Sequence, residues 1–219
     1  MYPALFAFGA SHLERFTSVK RRALRFAFAL IPVALGILFI PLLLPIFPPQ
    51  KLEIFYKNYG LAKSGLLKWE DLKDHPLPQD FSDMLGWEEM AQKVSAAYEK
   101  LDSTEKKQTI LFCDNYGEAG AVNFYAAKYH LPQAFSDNAS FLYWLPDSFQ
   151  FHNLILLTDD QEEMQHPFMK DFSSAVLNDS IVTPYAREKG DLIITLKNGN
   201  DAFNKMFKEK IEKDKAAFK

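Results

Sequence analysis

The pattern of apolar and polar positions first singles out residues 26–47, which read FAFALIPVALGILFIPLLLPIF without a charged side chain. A helix of this length reaches about 33 Å, which spans a hydrocarbon core of about 30 Å. The prolines inside it would break a helix in water, but membrane helices tolerate them as kinks. A signal peptide would need a small-residue cleavage site, and PIFPPQK offers none. The pattern therefore predicts a transmembrane span over 26–47.

After the span, the pattern predicts a linker over 48–86, where turn signals such as NYG and KSG are frequent. Residues 87–101 have helical spacing, and short apolar runs then alternate with helical stretches up to the last residue. The predicted strands are QTILFC, QAFS, NLILLT, residues 180–183 and DLIITLK, and the predicted final helix covers 201–215 with Phe203, Met206, Phe207 and Ile211 inward. The fold class predicted for 87–219 is α/β, a small mixed sheet covered by helices and preceded by the transmembrane segment.

Charge gives the predicted span an orientation. Residues 1–47 contain five basic side chains and one acidic one, and the basic cluster KRRALR lies directly before the span. The positive-inside rule places that end in the cytoplasm and the residues after about 49 outside the inner membrane of a bacterium. The first apolar stretch, MYPALFAFGASHL, is too short to cross. It is either an interfacial helix or the end of an earlier membrane helix. The short basic link after it favours the second, with a cytoplasmic loop between two membrane helices, so the chain is expected to begin in mid-protein.

The remaining residues carry 20 basic and 27 acidic side chains, and this acidic balance excludes nucleic acid as an expected partner. The single cysteine, Cys113, stands in an apolar run and is interpreted as a small buried side chain. The five histidines show no zinc-ligand spacing. We therefore assign no catalytic, cofactor-binding or metal-binding residue, and no cofactor.

The stretch FCDNYGEAG resembles the strand–turn–helix layout of phosphate-binding loops. Asn115 is expected to cap the following helix with Glu118 as its capping partner. The nucleotide-binding fingerprints need further glycines or a Gly-Lys-Ser/Thr ending, which this stretch lacks. Packing of Gly120 against the sheet is therefore the favoured interpretation, and anion binding at Gly117 and Gly120 is the alternative.

Three acids follow predicted strands, where open α/β sheets bind ligands: Asp114, Asp159 and Asp160. They could hold a divalent metal ion. The favoured interpretation is structural, with Asp114 in a turn and Asp160 capping the next helix together with Glu163. The aromatic cluster FLYWLP at 141–146 is expected in the core, with sugar stacking or membrane contact as alternatives.

A longer pattern carries a resemblance to a known family. Tyr116, Gly117, Ala119, Gly120 and Ala121 are followed by Leu-Pro at 131–132, Ser136, Tyr143, Trp144 and Pro146. This order resembles the C-terminal ectodomain of bacterial membrane glycosyltransferases of the protein O-mannosyltransferase type, glycosyltransferase family 39. The match departs from the family where leucine replaces a more usual glycine between Trp144 and Pro146.

The resemblance implies a polytopic enzyme that moves a sugar from a polyprenyl-phosphate carrier to an acceptor outside the membrane. In that family the essential carboxylate lies in the first extracytoplasmic loop, which this chain does not contain. The chain is then a C-terminal fragment, itself non-catalytic, whose partners are the membrane lipid and the upstream transmembrane domain. The alternative is a membrane-anchored extracytoplasmic binding module without enzymatic activity.

Overall fold

The computed structural model describes residues 2–17, 21–146 and 151–217. The chain divides into two compact units, Met1–Leu66 and Leu67–Lys219. The first unit contains the helices α1 (Tyr2–Phe16), α2 (Arg22–Leu43) and α3 (Pro49–Asn58). Within α2, the stretch Ala23–Leu43 is long and apolar enough to cross a membrane, and none of it is buried within the chain.

Helix α2 begins and ends earlier than the predicted span. It continues through Pro32 and Pro41, and the backbone becomes extended at Leu44. The hydroxyl of Tyr56 donates to the carbonyl of Pro41 at 3.4 Å. In a continuous helix the carbonyl of Pro41 would accept from the backbone N–H of residue 45, but Pro45 has none. The Tyr56 hydroxyl provides a donor in its place. Of the basic cluster, Lys20 lies outside the described residues.

The second unit is a mixed α/β domain. Its helices are α4 (Gln79–Ser82), α5 (Trp87–Glu99), α6 (Ser103–Lys107), α7 (Tyr116–Tyr129) and α8 (Asp201–Ala217). Its strands are β1 (Thr109–Cys113), β2 (Ala134–Phe135), β3 (Asn153–Thr158), β4 (Phe172–Ser180) and β5 (Leu192–Gly199). Short 3₁₀ segments cover Leu61–Ser64 in the first unit and Ala139–Trp144, Glu163–Gln165 and Pro167–Asp171 in the second.

The five strands form one sheet in the order β2-β1-β3-β5-β4. Strand β1 pairs in parallel with β2 and β3, whereas β5 pairs antiparallel with β3 and β4. The predicted mixed sheet is therefore confirmed. The strand predicted at 180–183 is wrong, because the strand ends at Ser180. The observed strand, β4, lies at the edge of the sheet, and Val176 and Leu177 in its middle are half exposed. It therefore lacks the apolar run that marks a buried strand in the sequence.

Two apolar cores lie on opposite faces of the sheet because strand side chains alternate. Leu111 and Cys113 of β1 pack with α5 and α7, whereas Phe112 packs with α8. In α8, Phe203, Phe207 and Ile211 are buried as predicted, but Met206 is exposed and its prediction is wrong. Leu67, Leu77 and Phe81 are also buried, and the second unit begins at Leu67. The segment interpreted as linker thus belongs to this unit from residue 67 onward.

Candidate functional site

The carboxyl ends of β1 and β3 open into a cleft of about 460 Å³, here called the acidic cleft. Ligands of open α/β sheets bind at this edge. The cleft is built by the residues before and at the start of α5, by the start of α7, by the residue after β3, and by the loop before β5. Its lining residues are Asp83, Trp87, Asn115, Tyr116, Gly117, Asp159, Arg187, Glu188 and Asp191.

The start of α7 is fixed by the predicted capping pair, which is confirmed. The side chain of Asn115 accepts from the backbone N–H of Glu118 at 3.0 Å. In return, the backbone N–H of Asn115 donates to Oε2 of Glu118 at 3.3 Å. This exchange satisfies two amides at the helix start and turns the Glu118 side chain back toward the carboxyl end of β1.

Helix α7 comes close to the ring of Trp87 at Gly117. A Cβ on Gly117 would lie 3.1 Å from Oδ1 of Asn115 and 3.3 Å from Cη2 of Trp87, so a glycine lets α7 meet Trp87. A Cβ on Gly120 would meet only Cζ of Phe141, at 3.9 Å. The predicted packing of Gly120 against the sheet is therefore wrong, because its neighbour Ala119 faces the core instead.

Glu118 and Asp191 form a buried carboxyl pair. Glu118 is fully buried, and no donor reaches its Oε1. The carboxyls lie close enough to shift each other's pKa. Two ionised carboxylates this close repel each other, which favours a proton on one of them. Burial, reinforced by the negative charge of Asp191, raises the pKa of Glu118 well above its usual range, and burial also raises the pKa of Asp191. Glu118 is therefore the protonated partner at neutral pH.

Glu188 is a third buried carboxyl, and it lines the cleft. It is 8% exposed, and its Oε2 has no hydrogen-bond partner. Burial raises its pKa to about 7, with its own backbone N–H opposing the shift and the nearby Asp191 and Asp83 adding to it. A buried acceptor without a donor costs about 1–3 kcal/mol. Because this oxygen is closed off from solvent, a ligand that brings an N–H or O–H group reaches it only when the Glu188 side chain turns toward the cleft.

Arg187 is the only cation among the lining residues that the structure describes. Its Nη2 lies 3.0 Å from Oε2 of Glu70, and its Nη1 lies 3.5 Å from Oδ2 of Asp83. The guanidinium is thus engaged by the segment before α5. No ion pair within the described ranges includes Asp159, Glu188 or Asp191, and the cleft keeps an excess of acidic groups.

Helix α5 holds the loop that carries Arg187, Glu188 and Asp191. The carboxylate of Glu89 accepts from the backbone N–H groups of Val182 and Thr183 at 3.0 and 2.8 Å, and from the Thr183 hydroxyl. Lys93 bridges Glu89 at 2.8 Å and Asp179 at 3.0 Å. Burial works to raise the pKa of Glu89, but these hydrogen bonds outweigh it and lower the pKa to about 2. The ionised carboxylate therefore serves as the anchor of this loop.

An open aromatic cleft of about 330 Å³ adjoins the acidic cleft and shares Trp87 and Gly117 with it. Its other lining residues are Gly120, Ala121, Phe124 and Tyr125. Phe124 is 80% exposed, and Tyr116, at the start of α7, is 57% exposed. The indole N–H of Trp87 already donates to the carbonyl of Asp83 at 2.6 Å. Only the apolar surface of the indole ring is left to contact a ligand.

The acids considered from sequence do not gather into one site. Asp159 lines the acidic cleft, whereas Asp114 is not among its lining residues and interacts with Thr158. Asp160 accepts from the backbone N–H of Glu162 at 2.8 Å, and the 3₁₀ turn after it begins at Glu163. Asp160 therefore shapes a turn, but it is not paired with Glu163 as predicted. Within the described ranges, no three His, Cys, Asp or Glu side chains are placed to hold a metal ion.

Two further predictions concern apolar residues. Cys113 is fully buried, and burial raises the pKa of its thiol well above its usual range, so the interpretation as a core side chain is confirmed. In the cluster at 141–146, Leu142 and Leu145 are buried, but Tyr143 and Trp144 are more than half exposed. The core prediction is wrong for these two aromatic residues, because the 3₁₀ turn at Ala139–Trp144 directs them outward.

The chain matches no protein-family model, no curated protein and no solved structure. The carboxyl cluster was missed from sequence because its members come from separate elements: Glu118 from α7, and Glu188 and Asp191 from the loop before β5. One signal was available. The sequence REKGD places two acids directly before a buried strand, at an edge of the sheet where ligands bind.

Proposed function

We propose that this chain is the C-terminal part of a bacterial membrane glycosyltransferase that moves a sugar from a polyprenyl-phosphate carrier to an extracytoplasmic acceptor. In this proposal, α2 anchors the chain in the inner membrane with the residues after about 49 outside. The second unit holds the sugar or its acceptor, and the transfer chemistry belongs to upstream membrane helices.

One observation carries the proposal. Tyr116 and Gly117, which belong to the sequence pattern shared with those transferases, line the acidic cleft. Gly117, Gly120 and Ala121 of the same pattern line the aromatic cleft. Sites for small organic ligands combine apolar ring surfaces with a few fixed polar groups. Trp87 and Tyr116 supply such ring surfaces for a sugar, and Glu188 and Asp191 supply the polar groups for its hydroxyls.

The charge of the cleft supports a recognition role over a catalytic one. Transfer from a lipid phosphate needs cationic or N–H groups that stabilise the departing phosphate. The one described cation in the lining, Arg187, is engaged by Glu70 and Asp83. Asp159, Glu188 and Asp191 would repel the phosphate. The leaving group therefore needs a different site, which the upstream helices would provide.

A reconstitution experiment tests the division of labour. The purified full chain is placed in liposomes with radiolabelled polyprenyl-phosphate sugars and candidate acceptors. We expect no transfer by the chain alone, and transfer once the upstream membrane helices are reconstituted with it. Tyr116→Ala should then raise KM more than it lowers kcat. Turnover by the chain alone that Asp159→Asn or Asp191→Asn abolishes would place the chemistry in this unit and refute the proposal.

A binding experiment tests sugar recognition separately. Tryptophan fluorescence of the full chain in nanodiscs should change saturably with monosaccharides, because Trp87 lines both clefts. Tyr116→Ala should abolish the change, and Tyr59→Ala, which alters an exposed ring in the first unit, should not. If no sugar binds, the proposal fails, and the membrane-anchored binding module for another kind of partner takes its place.

A further inference from the structure

The unpaired oxygen of Glu188 shows what kind of group the acidic cleft lacks. This side chain is more than nine-tenths buried, it lines the cleft, and its Oε2 has no partner. Such an oxygen accepts hydrogen bonds, and charged donors make stronger ones than neutral donors do. A ligand that brings a donor into the cleft therefore satisfies Glu188 when that side chain turns toward it.

The charge distribution selects a cationic donor. Asp159, Glu188 and Asp191 take part in no ion pair among the described residues, and Arg187 is held by Glu70 at 3.0 Å. An anion would meet these carboxyls at close range. A cation would find three carboxyls that form no ion pair with a described residue. A metal ion needs several ligands in fixed geometry, and no such group of three exists in the part of the chain that the structure describes.

The neighbouring rings define the rest of the ligand. Trp87 belongs to both clefts, and its N–H is occupied by the carbonyl of Asp83 at 2.6 Å. Its ring can therefore offer only apolar and cation–π contact. A group seated at Glu188 thus has a ring wall beside it. We propose that the acidic cleft binds a sugar-sized ligand that carries a protonated primary amine, with the amine at Glu188 and Asp191 and the ring against Trp87 and Tyr116.

This inference rests on the proposed sugar recognition and adds a charge requirement to it. The requirement makes binding depend on pH. Glu188 faces Asp191, Asp83 and Arg187, and Asp191 faces Glu118, Asp159, Asp114 and Arg187. Burial and the acidic neighbours favour the protonated carboxyls in the free protein, whereas an ammonium group favours the ionised ones. Binding therefore releases protons, and affinity rises with pH as long as the amine itself stays protonated.

The test is isothermal titration calorimetry on the full chain in zwitterionic nanodiscs. The probes are 6-amino-6-deoxyglucose, its N-acetylated form, glucose and cyclohexylmethylamine, which has the amine but no hydroxyls. At pH 7.5 the amino sugar should bind about tenfold or more tightly than its acetylated form, which corresponds to one charge-assisted hydrogen bond. The advantage should shrink at pH 5, and heats measured in two buffers should reveal proton release.

Variants locate the site. Glu188→Gln and Asp191→Asn should each remove most of the advantage of the amino sugar. Glu209→Gln, on an exposed face of α8, should leave it unchanged. Melting curves of each variant report whether the second unit still folds, and only folded variants are compared. An advantage that survives in both folded cleft variants overturns the inference.

The probes also separate this inference from the proposed function. Equal binding of glucose and the amino sugar, lost in Tyr116→Ala, overturns the cation requirement and leaves sugar recognition standing. Binding of cyclohexylmethylamine as tight as that of the amino sugar, without any binding of glucose, supports the cation site and refutes sugar recognition. Displacement of the amino sugar by calcium at equal concentration overturns the inference in favour of a metal site, and absence of binding by every probe refutes both.

Discussion

Glu118 accepts from the amide of Asn115 through Oε2, and its carboxyl interacts with that of Asp191, so one side chain links the start of α7 to the loop before β5. The side chain is fully buried, and the charges of Asp191 and Asp114 act on it as well. A carboxyl in this position is stable when protonated and unfavourable when ionised. Ionisation of Glu118 at high pH therefore destabilises the fold.

Glu118→Gln should remove this pH-dependent loss of stability. A glutamine keeps an oxygen for the amide of Asn115 and has an N–H₂ group for Asp191. The folded pKa of Glu118 is raised, so the native state binds more protons than the unfolded chain, and stability falls as pH rises above the ordinary glutamate pKa. The variant should therefore gain about 1–3 kcal/mol in unfolding free energy at pH 8 and nothing at pH 4.

Urea unfolding of the full chain, followed by near-ultraviolet circular dichroism at both pH values, measures this difference. Glu118→Ala is the control, because it loses the cap as well as the charge and should be destabilised at pH 4. A Glu118→Gln variant that is less stable than the parent at pH 8 would show that the ionised carboxylate stabilises the fold.

Glu89→Gln should change stability in the opposite direction, with a loss at neutral pH. The lowered pKa of Glu89 means that its contribution is present above the ordinary glutamate pKa and is lost as pH falls toward about 2. At pH 7 the variant should lose about 1–3 kcal/mol, because the amides of Val182 and Thr183 and the ammonium of Lys93 lose a charged acceptor. Hydrogen exchange at 182–183 should accelerate.

The adjacent Glu88 provides the matched control for this prediction. It pairs with Lys128 on an exposed surface, so Glu88→Gln should change stability little. Equal losses in Glu88→Gln and Glu89→Gln would contradict the role of Glu89 as the anchor of the loop.

Gly117→Ala and Gly120→Ala form a pair with opposite expected outcomes. At Gly117 the new methyl would lie 3.3 Å from the Trp87 ring, so the ring must move, and the fluorescence of Trp87 and the binding of monosaccharides should change. At Gly120 the methyl has space, and alanine should stabilise α7 by up to about 1 kcal/mol through its higher helix propensity. Thermal melting and fluorescence spectra of both variants check this, and an unperturbed Trp87 in Gly117→Ala would refute the close approach.

Periodicity in the sequence identified most of the elements of the second unit because those elements are apolar where they meet a core. Residues 87–101 and the run TILFC are examples, and both have the predicted structure. The edge strand β4 was misplaced because half-exposed residues such as Val176 give no apolar run. The pairing of Glu118 with Asp191 joins residues far apart along the chain. Only the sheet order, which places β3 between β1 and β5, brings their elements together.

The membrane anchor and its orientation remain predictions that two measurements check. Carbonate washing should leave the chain in the membrane pellet, because Ala23–Leu43 is long and apolar enough to span the bilayer. A reporter fused after Lys219 should work if it requires the periplasm and stay silent if it requires the cytoplasm, as the basic residues before α2 predict. Release by carbonate would refute the anchor, and the reverse reporter pattern would refute the orientation.

Arg187→Gln should strengthen the binding of cations in the acidic cleft. Arg187 lowers the pKa of both Glu188 and Asp191 by its positive charge, and it repels any cation that enters beside them. Its removal leaves these carboxyls with only acidic neighbours among the groups that shift them, so their pKa values should rise further. At pH 5 the variant should therefore bind the amino sugar no better than the parent does. At pH 8, where the carboxyls are ionised, it should bind several-fold more tightly.

The salt bridges of Arg187 to Glu70 and Asp83 are largely exposed, so the cost in stability should stay below about 1 kcal/mol. Calorimetric titration at both pH values measures the change, with Lys205→Gln on the exposed side of α8 as the matched control. Weaker binding in Arg187→Gln at pH 8, with an unchanged melting temperature, would mean that the guanidinium itself contacts the ligand.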